Sequence, residues 1–162
     1  MDIERDWPAI KMHFRVSWKS NLHVTIASVN TENKPTATPI GSLFLNAAGA
    51  GFYFEKFPSR LPQDAMHHPD ICVLAVNSSP WFWLVSLFKG RFDTYPAIKL
   101  YGILGEKRKA TPEEKNRLLK RMRRTNRFKG HRYLWQNMDF IREIKFIRAE
   151  KINLGTMTAE LP

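Results

Sequence analysis

Cysteine is almost absent from the chain, and this absence is the first constraint. The single Cys72 has no partner for an internal disulfide, so packing rather than covalent staples must hold the fold. Set in the apolar run ICVLAV, it reads as a small buried hydrophobe, and flanking Ile71 and Val73 would raise its pKa rather than activate it. Such a chain suits a reducing compartment. Long hydrophobic runs are also missing. The longest mostly apolar stretch, Trp81 to Phe88, has eight residues, whereas a membrane-spanning helix needs about 20. The opening MDIERDW has two acids among its first four residues and no apolar segment, unlike a secretory signal. A cytoplasmic protein without a transmembrane segment is expected. Acids are scarce as well: 15 Asp and Glu against 26 Lys and Arg give a formal charge of +11. The surface should attract anions, although net charge does not specify fold.

What is present fits one domain over residues 1–162, with 43% apolar content and no repeat, linker or low-complexity tract. Residues 7–20 place Ile10, Phe14 and Trp18 at four-residue spacing beside Lys11, Arg15 and Lys19, the pattern of a short amphipathic helix. HVTIASVN (23–30) is rich in β-branched residues and ends at NTENKP, so it reads as a strand entering a hairpin. The return strand is PTATPIGSLFL (35–45). Its Pro39 and Gly41 suit an irregular or closely approached position better than the middle of a central strand. GFYFEKF (51–57) is a third strand. From Ser59 to His68 the period changes to that of a short helix, with Ser59 as N-cap, Leu61, Ala65 and Met66 on one side, and Pro69 as its end. ICVLAVN (71–77) and the start of AIKLYGILGEKRKAT are further strands. TPEEKNRLLKRMRRTN (111–126) gives the strongest helix signal: Thr111 caps, Pro112 opens, Glu114 completes a capping box, and Leu118, Leu119 and Met122 form the apolar stripe. FIREIKFIRAEKINL (140–154), with Ile141, Ile144, Phe146 and Ile147, suggests a long final strand of imperfect alternation. Helices do not follow every strand, so the pattern favours a mainly β, antiparallel sheet closed or nearly closed into a barrel, with peripheral helices.

Several residues invite chemistry and give little. Adjacent His67 and His68 point apart on a helix, and no zinc-spaced cluster accompanies them, so no metal site is expected. Ser17, Ser28 and Ser42 lack a nucleophile-elbow context. In PWFWLVSLFKGRF, three consecutive large aromatics cannot all face one core. That run reads as a loop over the barrel end, as a lid, or as a dimer contact. Between Glu106 and Arg132, twelve Lys or Arg stand against three Glu. This segment is either a solvated charged helix or a surface for nucleic acid or another anionic partner, with Arg123, Arg124, Arg127 and Arg132 suited to phosphates.

Two stretches carry a family resemblance. TATPIGSLFL is similar to the second strand of the pyridoxamine 5'-phosphate oxidase-like split barrels, and FYFEKFPSRLPQDAMHHPDICVLA resembles their strand, Ser-Arg-Lys, helical turn, Asn-Pro and apolar strand. The likeness covers roughly residues 20–110, and Leu61 stands where the family has Lys. It implies a split β-barrel that binds FMN, with deazaflavin or haem as related alternatives. It further implies a homodimer with the cofactor at the interface and oxidoreductase chemistry on a small-molecule substrate. Since the flavin carries such chemistry, no catalytic acid or base is required of the sequence. The resemblance places Ser59 and Arg60 on the cofactor phosphate with Gln63 one turn on, and Thr38, Pro39, Ile40, Gly41 and Ser42 along the ring and ribityl. Phe54, Glu55 and Lys56 would form the adjoining wall, and Lys99 would reach in from the partner subunit. The oxidase's own C-terminal substrate pattern is not found in LGTMTAELP.

Overall fold

A computed structural model of the chain describes residues 1–57 and 60–161. The elements run α1 (Trp7–Asn21), β1 (Val24–Val29), β2 (Pro35–Ile40), β3 (Leu43–Leu45), β4 (Ala50–Phe54), α2 (Arg60–Ala65), β5 (Asp70–Val76), α3 (Pro80–Lys89), β6 (Ala97–Lys109), α4 (Pro112–Met122), α5 (Lys129–Trp135) and β7 (Phe140–Lys151). Short 3₁₀ turns follow α4 and β7. The strands form one antiparallel seven-stranded sheet in the order β2-β1-β5-β6-β7-β4-β3, curled into the half-closed wall of a split barrel.

Two apolar clusters hold it. The first lies inside the curl, where Trp7, Ile10 and Phe14 of α1 meet Ile26, Val73, Leu100, Ile144 and Tyr53. The second lies on the other face of β3, β4 and β7, where Phe44, Phe52 and Phe54 pack beneath Leu118 and Met122 of α4 and beside Met138 and Ile141. α1 is tied across the barrel end by polar tips as well as by packing. The Trp7 and Trp18 indoles donate to the carbonyls of Asn46 and Gly41 at 3.0 and 2.9 Å, and the Asn21 amide donates to Val76 O at 2.6 Å.

Local chemistry accounts for most boundaries. The capping box forms as its spacing requires: Thr111 Oγ1 accepts from the Glu114 N–H, and the Glu114 carboxylate accepts from the Thr111 N–H. Pro39 falls in β2, a terminal strand, where a missing ladder donor is tolerated.

Several expectations need correction. PTATPIGSLFL is two strands rather than one, broken at Gly41–Ser42, because its first half pairs with β1 and its second with β4. The aromatic stretch is the helix α3, not a loop: Pro80 opens it and Gly90, at φ 67°, ends it. Phe82 and Trp83 pack on Phe92, while Trp81, Leu84, Leu87 and Phe88 stay exposed, so the three consecutive aromatics do divide between inside and outside. Cys72 is half-buried rather than core, since the alternation of β5 turns Ile71 and Val73 inward and Cys72 outward; burial still pushes its thiol up. Met66, Leu119 and Ile147 are exposed: Met66 falls in the turn after α2, and Leu119 and Ile147 lie off the faces that α4 and β7 bury. The N-cap reading of Ser59 lies outside the described residues.

β6 crosses the sheet on two bulges, and at the first Gly102 lets β7 come close. A Cβ there would stand 2.6 Å from Lys145 O and 3.1 Å from the Phe146 Cα. Gly102→Ala is therefore expected to cost about 1–3 kcal/mol, read as a lower denaturant midpoint with an unchanged slope.

Candidate functional site

The residues expected at a cofactor site fall along the bend between β2 and β3 and its neighbours. Thr38 and Ile40 are half-buried on β2, and Pro39 is exposed between them. The space over Gly41 is taken by the chain itself, since a Cβ at this position would lie 3.2 Å from both Leu22 O and a ring carbon of Trp135. Ser42 is buried: its hydroxyl donates to Phe54 O and accepts from the Phe54 N–H, both at 3.2 Å. Gly41, Ser42 and Phe54 are thus one locked unit, and Phe54 belongs to the second apolar cluster.

Beyond Phe54 the chain turns toward α2. Arg60 is exposed at the first position of that helix and Gln63 is exposed one turn later. Ser59, expected beside them, lies outside the described residues. Lys56 donates to Tyr133 O at 2.7 Å and sits over the Phe57 ring. Lys99, on the outer face of β6, pairs with Glu150 at 3.3 Å. The structure brings Phe54, Glu55, Lys56 and the Gly41–Ser42 bend together, with Lys99 on a different part of the sheet.

Two polar clusters here were not foreseen from sequence. Asp64 of α2 is buried and accepts from the hydroxyls of Ser28 and Thr36, both at 3.3 Å, which themselves lie 2.7 Å apart; this docks α2 onto β1 and β2. Glu55 is the centre of the second. Arg142 reaches it at 2.6 Å, Lys107 at 3.1 Å and the Tyr53 hydroxyl at 3.2 Å. Neither cluster has a local sequence signal, because each joins residues far apart in the chain. Among the described residues, no group of three or more His, Cys, Asp or Glu is placed to hold a metal ion, and no helix is long and apolar enough to cross a membrane.

Burial pushes the Glu55 carboxyl up, but hydrogen bonds from Arg142 and Lys107 outweigh it and hold the group below the usual carboxylate range. A depressed folded value means that the stabilisation is full above the unfolded value of about 4.3 and fades as pH falls through the folded one. Glu55→Gln is expected to cost about 2 kcal/mol at neutral pH. Denaturant midpoints followed from pH 7 to pH 3 should converge for the two proteins; a gap that persists in acid would disprove the pairing as its source.

No family model matches the chain, and no curated protein matches it in sequence. Solved structures do match in fold. An FMN-binding protein from Syntrophomonas wolfei superposes with a TM-score of 0.59 at 10% identity, over 93% of this chain and 94% of that one. A candidate pyridoxamine 5'-phosphate oxidase from Listeria innocua gives 0.52 at 11%, over 90% and 99%. The haem storage protein HutZ of Vibrio cholerae gives 0.52 at 13%, over 93% and 95%. The chain therefore has the split-barrel fold of the pyridoxamine 5'-phosphate oxidase-like proteins.

Proposed function

We propose that the protein binds flavin mononucleotide and moves electrons or hydride between the flavin and a small organic substrate. The observation that carries this reading is the split barrel itself, with Arg60 and Lys56 presented as cations beyond the end of β4. A phosphate there needs positive charge and N–H donors, which a guanidinium supplies. Glu55 is no obstacle, since Arg142 and Lys107 already neutralise its charge. Thr38, Pro39 and Ile40 offer the strand surface for a flat ring, and Trp135, which covers Gly41, adds an aromatic wall. The reading includes a homodimer. The exposed Trp81, Leu84, Leu87 and Phe88 of α3 leave apolar surface for a second copy to bury, and that copy's Lys99 would complete the site.

The protein as purified is expected to be yellow or to take up added FMN with quenching of flavin fluorescence; mass spectrometry of the released molecule separates FMN from a deazaflavin, and a Soret band marks haem. Arg60→Ala should weaken FMN binding about tenfold or more. Unchanged affinity in that variant would overturn the phosphate placement.

A second reading, a binding module for nucleic acid, is favoured by one feature. Arg123, Arg124, Asn126 and Arg127 border a single shallow surface cleft beyond α4. DNA binding that falls steeply with salt, and less steeply in an Arg123→Gln/Arg124→Gln variant, is the outcome this reading requires; absence of a shift at low salt excludes it.

A further inference from the structure

Adjoining the Ile40–Ser42 bend but lined by other residues, a cleft of about 650 Å³ lies between α1 and α4, across the free edge of β3. Its charge is one-sided. Lys11, Arg15 and Lys19 line it from α1, Arg117 and Arg121 line it from α4, and no Asp or Glu is among its described lining residues.

The two arginines are held by neutral partners. Arg121 donates to Leu43 O and lies over aromatic rings, its guanidinium carbon 3.5 Å from the Phe44 ring centre and 5.0 Å from that of Trp18. Arg117 donates to Asn46 Oδ1 at 2.7 Å and to Leu45 O at 3.4 Å. Each guanidinium has five N–H donors, so these bonds leave most of them for another acceptor. Burial, with Arg117 adding repulsion, pushes Arg121 down to about 10. Covering the outward carbonyls of an edge strand is a structural reason for Arg117 and Arg121 to be there. It extends to Lys11, whose ammonium donates to Asn46 O at 3.2 Å, but it does not account for Arg15 and Lys19. Lys11, Arg15 and Lys19 repeat every four residues along α1, a spacing at which like charges repel, and they border the same cleft as the arginines. An anion between the two rows relieves both repulsions.

The remaining lining is apolar. Trp7 and Phe14 of α1 and Val24, Leu43 and Leu45 of the sheet form its buried floor, while half-buried Trp18 and exposed Met12 border its opening. We infer that this cleft binds a small amphipathic anion, with its carboxylate, sulfonate or phosphate group on Arg117 and Arg121 and its flat apolar body against Trp18 and Met12 of α1. The site shares no residue with the proposed flavin site and does not depend on it.

The probe is 8-anilinonaphthalene-1-sulfonate, compared with neutral N-phenyl-1-naphthylamine, titrated into the full chain. Saturable binding of the sulfonate is expected, with the neutral compound much weaker. Arg117→Gln/Arg121→Gln should weaken the sulfonate about tenfold or more. Arg15→Gln/Lys19→Gln, which leaves the cover of β3 untouched, should weaken it about threefold; this variant decides the matter if the first does not fold. Arg123→Gln/Arg124→Gln and Arg60→Ala should leave it unchanged, while Arg117→Gln/Arg121→Gln keeps any FMN binding. Equal affinity in the wild type and in Arg15→Gln/Lys19→Gln, an equal loss in Arg123→Gln/Arg124→Gln, or equal binding of the neutral compound would each overturn the assignment.

Discussion

The strand pair β3–β4 is buried on both of its faces, and much of the molecule follows from that constraint. Leu43, Leu45 and Tyr53 point into the curl toward α1, while Phe44, Phe52 and Phe54 point outward under α4. A strand pair at the end of an open sheet would ordinarily leave one side wet. Here three phenylalanines, with ring centres 5.3 to 6.3 Å apart, demand a cover, and the segment between β6 and β7 supplies it. Because α4 lies beside the terminal strand, its arginines reach the strand's backbone. The open edge is thereby closed by guanidinium groups rather than by another strand.

This arrangement also explains how a chain with so many cations distributes them. The acids are largely committed to fixed pairs. Glu114 takes Arg108 in a two-point contact, Glu143 takes the same arginine, Asp139 takes Lys115, and Glu55 takes Arg142 and Lys107. These pairs tie α4, β6 and β7 to one another, so the acidic charge is spent on cohesion. Uncompensated positive charge then collects where no acid is near: on the α1 side of the cleft and on the turn after α4. The charge that the sequence concentrates in one segment is split by folding into pinned, edge-covering and solvent-facing groups.

Features set by neighbours in sequence were legible before the structure. The Thr111–Glu114 box, the β-branched run of β1 and the odd position of Pro39 each express a local rule, and each is obeyed. The barrel class followed from the spacing of strands. The helix α3 was bracketed by Pro80 and Gly90, but its nearly continuous apolar content hid the helical period. Long-range contacts left no such trace. Arg117 and Arg121 read as solvated charges on a basic helix, yet they bond to residues more than seventy positions away. Asp64 reads as one more polar residue in a short helix, although it anchors two strands. The candidate site was legible as a set of segments; the Glu55 pairing and the placement of Trp135 depend on how β7 and α5 fold back on them.

The bend at Gly41–Ser42 shows why these long-range effects converge on few residues. Trp18 holds the Gly41 carbonyl from α1, Trp135 packs against its Cα from α5, and the Ser42 hydroxyl closes a pair of bonds with Phe54 of β4. Gly41 has no positive φ, so conformational freedom is not its role; a Cβ would meet Leu22 O and the Trp135 ring, both at 3.2 Å. Lack of a side chain is what allows two indoles from opposite helices to grip one peptide. The strand breaks there because β2 must leave β1 while β3 joins β4, and the residue at that crossing has to be the smallest one available. A weakness noticed in the sequence as poor strand chemistry is, in the folded chain, the point where the two ends of the sheet are held in relation to each other.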